Sequence, residues 1–236
     1  MHFHLPKPMH GWREFVGEIA IIVIGVLIAL GAEQLVEVVH WRGEVADARK
    51  ALDAELAHSV GAFEYRLGQS QCIDRRLLEL DAWLRDWKRG KHDALEGPIG
   101  RIPGFEIWTS VWDVTQSGQV ASHIPLAERL AYSRIYDLLK NFESLRNLER
   151  DAWYVLRDYD QADELDHQDM IRLRGALSRA KYLNRVIGQN AHSGYILDTA
   201  RRLSIRPARI PMIDEEAEKI LCQPIPRRRA QTAPPS

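Results

Sequence analysis

Cysteine is scarce in this chain: Cys72 and Cys222 are the two it has in 236 residues. Two thiols cannot make a disulfide scaffold or a zinc knuckle, although they could form a single bridge. A charge surplus is also missing. Lys and Arg total 32 against 33 Asp and Glu, so no basic footprint points to nucleic acid and no acidic excess points to disorder. Runs of β-branched residues are few outside the opening segment, while Leu, Arg, Glu and Ala dominate, which implies a mainly helical chain. There is no internal repeat and no nucleophile elbow. Ser178-x-x-Lys181 lacks the S-D-N and K-T-G partners that a penicillin-binding type of serine chemistry would need. The expectation is a protein that is not an enzyme and carries no cofactor.

What the chain does have is one long apolar run. In "GEIAIIVIGVLIALGAEQLVE" the residues from Ile19 to Ala32 carry no charge and are closed by Glu18 and Glu33. As a helix this run measures about 21 Å, short of a hydrocarbon core of roughly 30 Å. Phe15 to Gly17 on one side and Leu35 to Val39 on the other extend the apolar character, with Glu37 among them. Trp12 and Trp41 then stand about 43 Å apart along the helix, which matches a bilayer with its headgroups, and each has an arginine beside it. The Ile, Val and Leu residues between Ile19 and Leu30 contribute roughly -3 to -5 kcal/mol to insertion, while a midplane charge would cost about 3 kcal/mol. Glu18 and Glu33 lie near the ends, where that cost is smaller. A soluble core helix would show a polar face through Ile19 to Leu30, and there is none.

Residues 13–42 are therefore expected to be a transmembrane helix with its flanks, following a tail at 1–12. Ala29-Leu30-Gly31 offers a signal-cleavage alternative, but the apolar pattern runs on past it and Glu14 and Glu18 offset the upstream charge, so the expectation is an uncleaved single-pass anchor. The lysine and arginine bias nearly cancels across the span. The short basic tail favours a cytoplasmic N-terminus with the long C-terminal part exported to the periplasm. On a helical wheel Glu18, Gly25, Ala29 and Ala32 share one direction and Glu33 lies nearby. Gly25 and Ala29 form a small-xxx-small pair, which suits a homo-oligomer or a membrane-protein partner packed against the span.

Past the span, residues 43–205 read as a helical bundle. A stripe from Val45 to Leu67 continues the span, with Gly43 as a potential hinge and a break at Gly68-Gln69-Ser70. A second helix covers 71–88 and ends at Gly90, and 90–104 is a Pro/Gly loop. A short helix over 105–114 would hold Trp108 and Trp112 on one side. The longest soluble helix, 126–159, keeps a coiled-coil-like 3.5-residue step that only Glu149 interrupts. A last helix spans about 163–203. Residues 206–236 are expected to be a Pro/Arg-rich tail, extended or disordered, whose Arg227 to Arg229 form a solvated charge run or touch a lipid or partner surface. The fold class is thus all-α: an N-terminal span, a bundle and a tail.

The blocks "GWREFVGEIAIIVIGVLIALGAEQLVE", "AELAHSVGAFEYRLGQSQCIDRRLLEL" and "WTSVWDVTQSGQVASHIPLAERLAYSRIYDLL" resemble a bacterial family of single-span membrane proteins of unknown function. Its mark is a G-E-[IV]-x-[IL]-[IV]-x-I-G-[IV]-L-I-A-L signature near the N-terminus, and the likeness runs to about Ile205. The resemblance implies an inner-membrane protein with a span and a helical domain, and it implies no activity.

Three functional expectations follow. The leading one is an accessory or scaffolding protein that works through interactions. A second has Glu18 and Glu33 titrating in a proton-coupled assembly. A third rests on two E-x-x-H pairs, Glu55 with His58 and Glu164 with His167, which are the motif of di-iron carboxylate bundles; Glu79 and Glu143 or Glu149 would complete such a site. His167, however, falls in a very polar stretch at a helix start, where acids serve the N-terminal dipole. Trp108, Trp112 and Trp153 are expected in the core, where aromatic area is buried. A Cys72–Cys222 bridge would staple the tail to the bundle and would require an oxidising compartment.

Overall fold

The computed structural model of the chain describes residues 11–192, 195–210 and 214–228. The first helix, α1 (Gly11–Gly68), is one uninterrupted rod of 58 residues, about 87 Å long at 1.5 Å per residue. It has two unlike halves. From Trp12 to Val39 the large apolar side chains are exposed, and this stretch is long and apolar enough to cross a membrane. From Val45 onward the stripe Leu52, Leu56, Val60 and Phe63 is buried. The helix is continuous through Gly43.

The remaining elements are α2 (Ser70–Lys88), β1 (Ala94–Leu95), α3 (Ser110–Ser117), α4 (Val120–His123), α5 (Leu126–Arg157), α6 (His167–His192), α7 (Tyr195–Arg202), α8 (Glu215–Cys222) and β2 (Arg227–Arg228). The break at Gly68-Gln69 falls where the sequence places it. Gly90, at φ 81°, closes α2 in the left-handed region that favours glycine, and its N–H donates to Trp87 O at 3.1 Å. The stretch read as one helix over 163–203 is two, α6 and α7, with Ser193 and Gly194 outside the described residues. α6 starts at His167 because Asp166 and Asp169 exchange backbone bonds as a capping pair, 3.1 and 2.7 Å.

Two apolar cores stack along the bundle. One gathers Leu52 to Phe63 of α1, Trp112 of α3, Tyr132 to Phe142 of α5, Ile187 of α6 and Ile196 of α7. The other gathers Ile73 to Trp87 of α2, Ala152 to Tyr159, Leu173 to Ala180 of α6 and Leu221 of α8. Helices α5 and α6 pass from one core to the other, and at the crossing each carries a polar residue, Glu149 and Asn184. Arg66, at the end of α1, joins them: it donates to Glu149 Oε1 at 2.6 Å, to Glu149 Oε2 at 3.0 Å and to Asn184 Oδ1 at 2.7 Å. Asn184 Nδ2 in turn donates to Asp74 at 2.6 Å. The one polar interruption in the α5 stripe is thus the acceptor of a buried arginine.

The segment read as tail carries a helix and a strand within its described part. Ile205 and Ile210 are buried in the first core, and Ala208 N–H donates to Ala57 O at 2.8 Å. The chain approaches α1 so closely here that a Cβ on Gly61 would collide with the Ala208 carbonyl. Helix α8 is capped by Asp214, which accepts from Ala217 N–H at 3.0 Å. At its other end the buried Arg76 guanidinium donates to the carbonyls of Ile220 and Gln223, 2.6 and 2.5 Å. Cys72 and Cys222 are bonded, with S–S 2.09 Å and Cα atoms 4.7 Å apart. β2 pairs antiparallel with β1, Leu95 opposite Arg227. Arg227 is a clasp rather than a free charge: it donates to Glu79 O at 2.7 Å and to Asp86 at 3.3 Å. Arg229 and the residues after it lie outside the described part.

Candidate functional site

The span face comes first. Glu18, Gly25, Ala29, Ala32 and Glu33 are all exposed on α1, and nothing lies within 4 Å of where a Cβ on Gly25 would be. At the lower edge of this surface Trp41 is not a bare anchor. Its ring stacks on His123 of α4 at 3.9 Å between centroids and 13° between planes, and its Nε1–H donates to Glu37 at 3.3 Å. The bundle therefore abuts the helix at the level where the sequence places the second aromatic belt.

The two E-x-x-H pairs are not brought into a metal site. Glu55, buried on α1, has both oxygens committed. Val111 and Trp112 N–H donate to it at 2.8 and 3.1 Å, Ser110 Oγ at 3.3 Å and Tyr136 OH at 2.8 Å. It caps α3 from another helix, in place of Thr109, whose side chain makes no cap bond. The burial of the Tyr136 phenol, and after it the hydrogen bond and charge of Glu55, push that phenol's pKa upward. His58 stacks flat on Trp108, centroids 3.6 Å apart, and its Nε2 lies 3.2 Å from the Glu106 carbonyl. A carbonyl only accepts, so that contact places the proton on Nε2. Glu164 and His167 are exposed at the start of α6. Glu79 lies beside Arg76, 3.5 Å away, Glu143 pairs with Arg146, and Glu149 is held by Arg66. Among the described residues no three His, Cys, Asp or Glu side chains converge as metal ligands.

Charge and aromatic area do converge elsewhere. Between α1, the 101–108 segment and α5 lies a cavity of about 460 Å³. Its α5 wall is Arg146, Glu149, Arg150, Trp153, Tyr154 and Arg157, of which Arg146, Arg150, Trp153 and Arg157 fall within about 60° of one another on the helix. The opposite wall is Phe105, Trp108 and His58, and Arg101 closes one end. The 101–108 segment is fastened to α1 by Ser59, whose hydroxyl accepts from Trp108 N–H at 2.8 Å and donates to Trp108 O at 3.0 Å. Arg146 lies over the Phe105 ring, 4.7 Å from its centroid, and forks onto Glu143. Arg101 pairs with Asp214.

Trp112 and Trp153 are buried, as aromatic residues at helical spacing should be. Trp108 is not: it precedes α3 rather than lying within it and stays 47% exposed. The arginines of the groove lie outside the apolar stripe of α5, so apolar periodicity does not single them out. The signal was there, as arginines at positions 146, 150 and 157 repeat at helical period beside that stripe.

No protein-family model, curated protein or solved structure matches the chain. What the structure establishes is a helical protein with, among the described residues, one helix long and apolar enough to cross a membrane.

Proposed function

We propose that this is a membrane-anchored helical-bundle protein of the bacterial inner membrane that acts through interactions, as an accessory or scaffolding component. Residues 13–42 are its anchor, the N-terminus is cytoplasmic and the bundle is periplasmic. The observation that carries the reading is the two-faced α1, whose apolar surface is bare from Ile19 to Val39 and becomes core from Val45 without a break. Bare apolar area of that extent is unfavourable in water and at home in lipid. The bonded Cys72 and Cys222 support the periplasmic side, because disulfides persist in oxidising compartments. Gly25 and Ala29 leave room for a second helix, a second copy or a partner, on the face that also holds Glu18 and Glu33.

The test is native mass spectrometry of the full chain from lipid nanodiscs, paired with an activity-reporting alkaline phosphatase fused after Ser236. An active fusion and a dimer or hetero-complex that A29L disrupts are the expected results. A lone monomer, an inactive fusion or recovery of the intact chain in the soluble fraction would overturn the reading. A proton-coupled role for Glu18 and Glu33 predicts instead that E18Q/E33Q abolishes the cellular phenotype while assembly is retained.

A further inference from the structure

The groove between α5, the 101–108 segment and α1 has features that neither the anchor nor the fold requires. Arg146 and Arg101 are engaged by Glu143 and Asp214, but Arg150 and Arg157 form no ion pair among the described residues. Of the acids that line the groove, Glu149 is spent on Arg66 and Glu106 remains, and Asp160, outside the groove, shares the charge of Arg157. Its lining includes Trp153, which is 2% exposed. At the mouth Trp108 and Tyr154 keep 47% and 54% of their surface exposed, although the chain buries Trp83, Trp87 and Trp112.

We propose that this groove is a binding site for a flat organic anion, an aromatic carboxylate or aromatic phosphate ester. The anionic group is held by Arg150 and Arg157, whose planar forks match carboxylate and phosphate oxygens. The ring lies against Trp108 and Tyr154. Three physical points select this class. The cavity, about 460 Å³, is of small-molecule size. Arginine without an ion pair favours an anion, and arginine stacked with aromatic side chains favours a planar one. The proposal does not rest on the membrane anchor, so a chain that proved soluble would still bind, and an anchored chain with an idle groove would fail this test alone.

The full chain in phosphatidylcholine nanodiscs, with empty discs subtracted, is titrated calorimetrically with 2-naphthoate, 2-naphthyl phosphate and the neutral 2-naphthylmethanol. One site per chain is expected, with at least one anion about tenfold or more tighter than the alcohol, the size of a charge-assisted hydrogen bond. The anion that binds tighter identifies the headgroup. R150Q/R157Q weakens that anion by about tenfold or more, and W108L weakens it by less, while both variants keep the wild-type circular dichroism and thermal midpoint. R201Q, on α7 and outside the lining of the groove, changes nothing. The proposal is overturned if neither anion saturates, if the alcohol binds as tightly, if R150Q/R157Q binds like the wild type, or if a short polyglutamate peptide displaces the naphthyl anion at equal concentration, since the ring would then be irrelevant.

Discussion

Replacing Arg66 by Met strips the buried Glu149 of its counter-ion, and replacing Glu149 by Leu does the reverse to Arg66. Both side chains are 0% exposed, so the survivor cannot turn to water. Breaking such a pair from one side costs about 3–5 kcal/mol, whereas removing both charges together avoids the desolvation that made each single change expensive. The R66M/E149L double variant still leaves Asn184 Oδ1 without the donor it has at 2.7 Å, a loss of about 1–3 kcal/mol. Either single change should therefore be worse than the double, and the two singles together should exceed it by about 3 kcal/mol or more. For a domain of this size each kcal/mol moves the midpoint by about 2–4 °C. The assay is thermal and urea unfolding in detergent, followed by tryptophan fluorescence, because Trp153 lies one turn from Glu149 in the second core. The reasoning is refuted if the double variant melts no higher than the worse single, or if either single costs less than about 1 kcal/mol.

Three further outcomes follow from the same contacts. Reducing Cys72–Cys222 opens a closure of 150 residues, and chain entropy sets the upper limit of the loss at about 5 kcal/mol; Arg76 and the β1–β2 pair hold the segment meanwhile, so a smaller drop in midpoint is expected, and no drop at all would mean that the bond staples nothing. Gly61→Ala drives a methyl into the Ala208 carbonyl and should cost about 1–3 kcal/mol, read as faster tryptic cleavage after Arg209; unchanged cleavage would deny the close approach. In an alkaline absorbance titration Tyr65 should ionise near pH 12, its pKa raised by burial first and by the Glu218 carboxylate next, with Tyr132 and Tyr136 later still, both raised chiefly by burial. Since each folded phenol holds its proton above the ordinary value near 10, the stability it contributes is whole below that pH and is lost as the pH climbs through the folded value. Early release of all seven tyrosines together would contradict this.

The alternation of residues along the chain was enough to mark the apolar stretch and the longer helices α1, α2 and α5, while α4, α8 and the division of α6 from α7 were not legible in it. A stretch with no polar face through Ile19 to Leu30 has one comfortable solvent, and Gly90 stops a helix for a local reason of backbone geometry. Glu149 was visible as a polar residue in an apolar stripe, but its partner was not, since Arg66 lies 83 positions away and nothing local to either residue encodes the meeting. The same holds for Glu55. Its spacing to His58 suggests a metal motif on paper, whereas in space α3 arrives to use the carboxylate as its cap.

Local pattern thus determined the long helices and which segment suits lipid, because propensity and amphipathicity act over a few residues, whereas α8 forms in a stretch whose local pattern reads as tail. Which charges meet, which thiols join and where arginine and tryptophan enclose a cavity were decided by tertiary packing alone. Those contacts depend on how whole helices cross, and a single sequence carries no record of distances between positions far apart along it.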